Sequence, residues 1–345
     1  MSSPFQEYLY IAIYLAKGVC MTVKWKKPAV HDFIILSCLA VCGTGLLLCS
    51  RPVSAAVTHA LGLCTDVLLP SLFPFLVLSS FLVSSGALIP VSNLMAGIMQ
   101  RVFRLPGCCG TAIFLGAIGG YPVGARTVCE LYSSCLCSKQ DAEKTLFFCN
   151  NAGPSFLIGV LGANMLHDGK IGLRLYLIHI LSALLIGLLV CKKTFHTSAA
   201  GTGTSRQHIK TPVLPVFLQA VTGSFHVFLN ICAFVLLFAV LLCLLEQSGL
   251  LLLLSQHLPG DTALWNGLVF GVLELTSGSD LLVKSAVSPQ IMLSALSFLC
   301  GWGGLSVQMQ TICLLHDTRL PAKRYLVAKA AHGVLAAILT FLFCR

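Results

Sequence analysis

The sequence predicts an all-α, polytopic integral membrane protein, and three observations carry that prediction. Hydrophobic residues make up 57% of the chain and charged residues only 10%, whereas a soluble domain carries about 25% charged residues. Apolar runs close to the roughly 20 residues that cross a bilayer recur along the whole length, for example at 33–49, 171–191 and 227–245. Nothing alternates with the period of two that a barrel strand needs, and backbone in lipid must pair internally, so the spans are helices.

The charges and cysteines fit this class. The net charge of +10 sits in short clusters at the ends of apolar runs (Lys24, Lys26, Lys27; Arg101, Arg104; Lys192, Lys193; Arg319, Lys323, Arg324). Such placement reads as membrane topology, not as a nucleic-acid footprint. Most of the seventeen cysteines lie inside apolar runs and no C-x2-C pair occurs. Cys108 with Cys109, and Cys135 with Cys137, do not have zinc-site spacing, so cysteine is read as a small buried hydrophobe and neither metal nor cofactor is expected.

Region 1–70 is the N-terminal region with the first transmembrane helix. Residues 1–20 are mildly apolar, whereas Met21 opens Met-Thr-Val-Lys-Trp-Lys-Lys ahead of an apolar run, so translation from either Met1 or Met21 is compatible with the pattern. Ser54-Ala55-Ala56 is only a faint cleavage signal, and an uncleaved first span at 33–49 is expected. Residues 53–69 contain Thr58, His59 and Asp66, which suits an interfacial segment.

The first repeat covers 71–191. A second span is expected at 71–89. Residues 91–104 place Val91, Leu94, Met95, Ile98 and Val102 on one helical face, which suits a helix lying on the membrane surface or one packed on protein. At 107–137, Gly116, Gly119, Gly120, Pro122 and Gly124 crowd the centre, and each arm reaches only about half of the hydrocarbon thickness. A re-entrant hairpin with its tip at Gly120-Tyr121-Pro122 is expected. Residues 139–166 carry Asn150-Asn151-Ala152-Gly153-Pro154-Ser155 at their centre, the mark of a broken transmembrane helix, and 171–191 crosses without interruption.

Residues 192–214 form a polar, basic cytoplasmic linker. Beyond it the second repeat, 215–345, brings back the same order: a long span at 216–245, a glycine-interrupted segment at 266–285, a broken one at 290–315 and an unbroken one at 325–343. At a constant offset of 151, Phe147, Cys149, Gly153 and Ser155 coincide with Phe298, Cys300, Gly304 and Ser306. If both glycine-rich segments are hairpins, each repeat crosses three times and the second is inverted. That model places fourteen Lys and Arg residues in the cytoplasm and five outside (Arg51, Lys170, Arg174, Lys284, Arg345), as the positive-inside rule requires.

A helix broken inside a bilayer is tolerated only where its freed amides and carbonyls face protein or a watery cavity. In transporters built from inverted repeats such breaks meet near the midplane. The expected substrate-binding set is therefore Gly120, Tyr121, Pro122, Gly124, Arg126, Asn150, Asn151, Ser155, Glu274, Thr276, Ser277, Gly304, Ser306, Gln308 and Gln310. Close helix packing through the same glycines and amides is the competing reading. Arg126 and Glu130, four apart, are suited either to neutralise each other or to leave Arg126 for a substrate carboxylate or phosphate. Glu274 is suited to a proton or cation, which leaves a coupling proton or sodium ion open. Asp280 and Lys284 are expected at an aqueous end, and the isolated His179, His226 and His332 are read as packing residues. Motifs of soluble catalysis are absent from the sequence, and an enzyme is not expected.

Three stretches carry a family resemblance: Gly119-Gly120-Tyr121-Pro122-Val123-Gly124-Ala125-Arg126, Cys149-Asn150-Asn151-Ala152-Gly153-Pro154-Ser155-Phe156-Leu157-Ile158-Gly159, and Gly303-Gly304-Leu305-Ser306-Val307-Gln308-Met309-Gln310. Across roughly 69–343 the chain resembles the YlbJ-type sporulation integral membrane proteins, which stand among the nucleoside recognition, or Gate, domain proteins. The resemblance implies a fold similar to concentrative nucleoside transporters, location in a bacterial cell membrane around the forespore, and movement of dipicolinate, a small aromatic dicarboxylate. Thr276-Ser277-Gly278 follows the family pattern less closely, which bears on Glu274. Two functions remain in play: a secondary transporter of a small polar or anionic metabolite, nucleosides included, and a non-transporting assembly protein of the sporulation membrane. Lipid and a small molecule are the expected partners, with a homo-oligomer left open.

Overall fold

The computed structural model describes residues 30–87, 89–193, 212–250, 253 and 258–344, and among these there are fourteen α-helices, three wider π-helical stretches and no strand. The two candidate start sites, the Lys24, Lys26 and Lys27 cluster and most of the 192–214 linker lie outside the described residues. The chain divides into two compact units, 1–50 and 51–345. In the first, α1 (Val30–Leu48) has 19 residues and is about 28 Å long, which matches a hydrocarbon core. Its Phe33, Leu36, Leu39, Leu47 and Leu48 are exposed, as an apolar helix in lipid requires.

In the second unit, α2 (Ser50–Gly62) runs through a wide turn (Leu63–Leu68) into α3 (Leu69–Ser85). The segment expected at the interface, 53–69, is thus helical and continues without a break into the next span. Leu69 N–H bonds the carbonyl of Cys64, five residues back, and such a widened turn accommodates Pro70, which has no amide to give and crowds the preceding turn.

After Gly86 the chain turns by 91° into α4 (Ile89–Ile98) and a wide turn (Met99–Phe103). The face expected from the periodicity is divided by tertiary packing. Leu94 and Ile98 are exposed, while Met95 lies against Gly110, and Met99 and Phe103 are buried. This helix therefore packs on protein along one side.

The hairpin consists of α5 (Gly107–Gly119) and α6 (Val123–Ser133), about 20 Å and 17 Å long, joined by Gly120, Tyr121 and Pro122. Neither arm crosses a hydrocarbon core of about 30 Å. The Tyr121–Pro122 peptide is cis. Gly116 and Gly124 close around the carbonyl of Cys149, at the end of α7 (Lys139–Cys149). Residues 150–154 then leave the helical path, and a π-helical stretch (Ser155–Met165) leads to α8 (Gly169–Lys193).

The later elements are α9 (Val213–Gln247), α10 (Thr262–Leu273), α11 (Leu275–Val283), α12 (Pro289–Trp302), α13 (Gly304–Thr318) and α14 (Ala322–Phe343). Among the described residues four helical segments are long and apolar enough to cross a membrane, Gly169–Cys191, Val213–Gln247, Pro289–Thr318 and Ala322–Phe343, the third being interrupted at Gly303 and Gly304, and there are up to six when the bent pairs Phe33–Leu48 with Ser50–Asp66 and Leu72–Ser85 with Ile89–Phe103 each count as one span. The chain is a multi-pass membrane protein. Both departures from helical geometry fall within the nine-residue stretches that align at an offset of 151.

Two buried apolar clusters join elements from before and after the linker. One sets Phe103 on Phe148 (5.1 Å between ring centroids) together with Leu131, Leu315 and Tyr325. The other packs Leu157, Leu161 and Leu175 with Leu282, Leu296 and Leu299.

Candidate functional site

All four interruptions meet. Gly120 has φ +76°, which an L side chain rarely adopts, and a Cβ there would lie 3.0 Å from Gly153 N. The first hairpin tip therefore rests on the first break. The Tyr121 hydroxyl donates to the carbonyl of Cys300, and the ring lies 3.3 Å from where a Cβ of Gly303 would be, so the same tip also reaches the second break. A Cβ on Gly304 would stand 2.9 Å from Leu275 N, which brings in the turn between α10 and α11.

The break after Cys149 frees backbone groups inside the protein, and ionisable side chains take them. Lys329 Nζ donates to the carbonyl of Asn150 at 2.7 Å, and His179 Nε2 accepts from Ala152 N at 3.0 Å. Lys329 is completely buried on α14, with its ammonium nitrogen 5.2 Å from the centre of the Tyr121 ring. Its Nζ also meets His332 Nδ1 at 3.0 Å, and His332 Nε2 meets the carbonyl of His179 at 3.0 Å. The two imidazoles lie 4.5 Å apart, so His179 and His332 are not the isolated packing residues expected from sequence.

Partner chemistry assigns the tautomers. A carbonyl only accepts, so His332 Nε2 carries a hydrogen and its Nδ1 is left to accept from Lys329. An amide N–H only donates, so His179 Nε2 is bare and its ring hydrogen sits on Nδ1, a buried atom without a partner among the described residues. No described carboxylate forms an ion pair with Lys329.

Further buried polar groups lie at the two breaks. Asn150 Nδ2 donates to the Tyr325 hydroxyl at 2.8 Å and to Thr311 Oγ1 at 3.1 Å. Asn151 Nδ2 donates to the carbonyl of Phe148 at 2.9 Å, and Gln308 Nε2 donates to that of Trp302. Those acceptors fix the orientation of both amides and leave Asn151 Oδ1 and Gln308 Oε1 buried without donors among the described residues. Each such orphan costs about 1–3 kcal/mol, and in native folds it calls for an explanation.

The remaining expected site residues separate into groups. Pro122 and Gly124 are buried within the hairpin, and Ser306 and Gln310 are buried on α13, whereas Ser155 is exposed. Arg126 Nε pairs with Glu130 Oε1 at 2.8 Å, so these two residues do neutralise each other. Two residues are about 200° around a helix. With Gly124 facing Cys149, Arg126 therefore turns towards Gly223 of α9, its Nη2 3.9 Å from a Cβ placed there. Arg126 Nη1, Glu130 Oε2 and the nearby Ser224 Oγ are buried without partners.

Glu274 Oε1 accepts from Thr276 N at 3.0 Å and Oε2 from Ser277 N at 2.7 Å. Its carboxylate caps α11, and Thr276 and Ser277 contribute their amides there. Asp280 and Lys284 pair on an exposed face, and His226 is exposed on α9. Sequence reasoning passed over Lys329, Thr311 and Tyr325. The lysine had a legible signal, being ionisable within an apolar span. Among the described residues no group of three His, Cys, Asp or Glu side chains is arranged to hold a metal ion.

Comparison with known proteins places these elements. Residues 66–195, from the wide turn before α3 to the segment just past α8, match the family model described as Gate, nucleoside recognition. The chain is 29% identical over 304 residues, 81% of its own length and 74% of the relative's, to the sporulation integral membrane protein YlbJ of Bacillus subtilis (strain 168). No solved structure matches it.

Proposed function

From a chain that carries a Gate segment and resembles a sporulation membrane protein over most of its length, we infer a secondary transporter of a small polar or anionic metabolite. The observation that carries this reading is the convergence of four helix interruptions on one completely buried lysine that has no carboxylate partner among the described residues. A membrane protein that only had to pack would fill this position with an apolar side chain, because a charge at such depth costs several kcal/mol. An anion supplies the missing countercharge, and Asn151 Oδ1 and Gln308 Oε1 accept hydrogen bonds from its hydroxyl or protonated carboxyl groups.

The buried state of the cluster corresponds to an occluded conformation, with alternating access given by movement of one hairpin and broken-helix set against the other as inverted repeats. The likeness to a sporulation integral membrane protein supports a role in endospore formation, with the forespore-surrounding membrane as location and dipicolinate as the anion to test first.

Uptake by vesicles containing the purified chain is the test, with dipicolinate compared against nucleosides under proton and sodium gradients. Saturable dipicolinate uptake that nucleosides do not compete supports the reading. Nucleoside uptake would replace the substrate, and absence of uptake of either would favour an assembly role.

A further inference from the structure

Lys329, His332 and His179 form a continuous polar chain. It runs from the carbonyl of Asn150 through Lys329 Nζ to His332 Nδ1, and from His332 Nε2 to the backbone of His179 on α8. His179 returns to the same break by accepting from Ala152 N, two residues beyond Asn150. The chain thus closes on the irregular stretch of the first break, at 150–154. The groups facing Lys329 are the ring of Tyr121 from the hairpin tip, Cys149 from α7, Cys300 from α12, His179 from α8 by way of His332, and Tyr325 and His332 from α14 itself. No carboxylate is among them, so no described residue holds a permanent charge on the amine.

We propose that Lys329, positioned by His332 and His179, is a reversible proton-binding site that loads together with the transported anion. The inference rests on the transporter reading above and deepens it to anion and proton symport. With the site open to one side, a hydronium ion gives its proton to the amine and becomes water, and the resulting ammonium receives the carboxylate of the substrate. On the other side the anion leaves and the ammonium returns its proton to water. Two acceptors for Lys329 are built in: its Nζ keeps hydrogens for the Asn150 carbonyl and His332 Nδ1 in either protonation state, so the break stays satisfied through the cycle.

The test uses the full-length chain in lipid. First, with 15N-labelled lysine in nanodiscs, one amine signal changes as the pH is stepped across the range in which the protein stays folded, is missing from K329M and shifts its midpoint in H332N. A Lys329 signal constant across that range overturns the inference whether or not the protein transports anything.

Second, vesicles loaded at higher internal pH are given dipicolinate. One proton per dianion carries one net negative charge inward, so with the potential held at zero by equal potassium and valinomycin accumulation reaches up to about tenfold per pH unit of gradient, with alkalinisation of the outer medium in step. K329M and K329R lose both, the latter because a guanidinium keeps its proton. Dipicolinate uptake that is indifferent to the pH gradient, or a K329M variant that still accumulates it, overturns coupling while leaving transport intact. If wild-type vesicles move no solute under any gradient, the transporter reading fails and the titration alone decides the proton site.

Discussion

Gly124→Ala tests the packing that holds the hairpin against the first break. A methyl group at that position would lie 2.0 Å from the carbonyl oxygen of Cys149, 2.8 Å from its carbonyl carbon and 3.1 Å from Gly116 Cα, all of them backbone. A carbon and a carbonyl oxygen approach only to about 3.3 Å, so the arm must retreat by about 1 Å or more. It has no flexible side chain to displace, and Gly116 presses on the same carbonyl from the other arm. Overpacking of this kind costs about 1–3 kcal/mol, which lowers the midpoint of thermal unfolding by several degrees. Gly97→Ala is the matched control, because no atom stands within 4 Å of a Cβ there, and alanine in a helix is favourable by up to about 1 kcal/mol. The assay is loss of the monodisperse size-exclusion peak after heating in detergent, followed for both variants and wild type. Equal midpoints for Gly124→Ala and Gly97→Ala would refute the close approach of the hairpin to Cys149.

Three further outcomes follow from the same geometry. His179→Phe leaves Ala152 N–H without its acceptor and should cost about 1–3 kcal/mol, read as a lower unfolding midpoint and faster amide exchange at residues 150–154. Glu274→Ala removes the cap of α11 and should cost about 0.5–2 kcal/mol, with the loss of protection confined to residues 274–278. Arg126→Met strands Glu130 beside α9, and the double variant Arg126→Met, Glu130→Leu should recover much of the lost stability. Removing one partner of a buried pair is costlier than replacing both, and a double variant no better than the single one would show that the pair is not coupled.

The interruptions could be read from the sequence because their causes are local. Gly119, Gly120 and Pro122 in one apolar run, and Asn150 to Pro154 in another, cannot continue a helix whatever surrounds them. The cap by Glu274 is equally local, yet glutamate is not among the favoured capping residues, so the same residue looked like an ion ligand. The face of 91–104 was misdivided for another reason: periodicity reports which residues are apolar, and lipid and protein are both apolar partners. Only the glycines of α5 decide that Met95 packs inward while Leu94 stays exposed.

Composition and pattern alone determined that this chain lives in a membrane, that its spans are helical, and that two stretches at an offset of 151 break. Each of those properties follows from the free energy of placing a short segment of backbone and side chain in lipid. The tertiary structure decided which groups meet at the breaks. Lys329 and Asn150 are 179 residues apart, and His332 and His179 are 153 apart. Nothing in the local chemistry of either partner names the other. The backbone groups freed at 150–152 needed partners, and the fold, not the pattern, brought a lysine and a histidine to them.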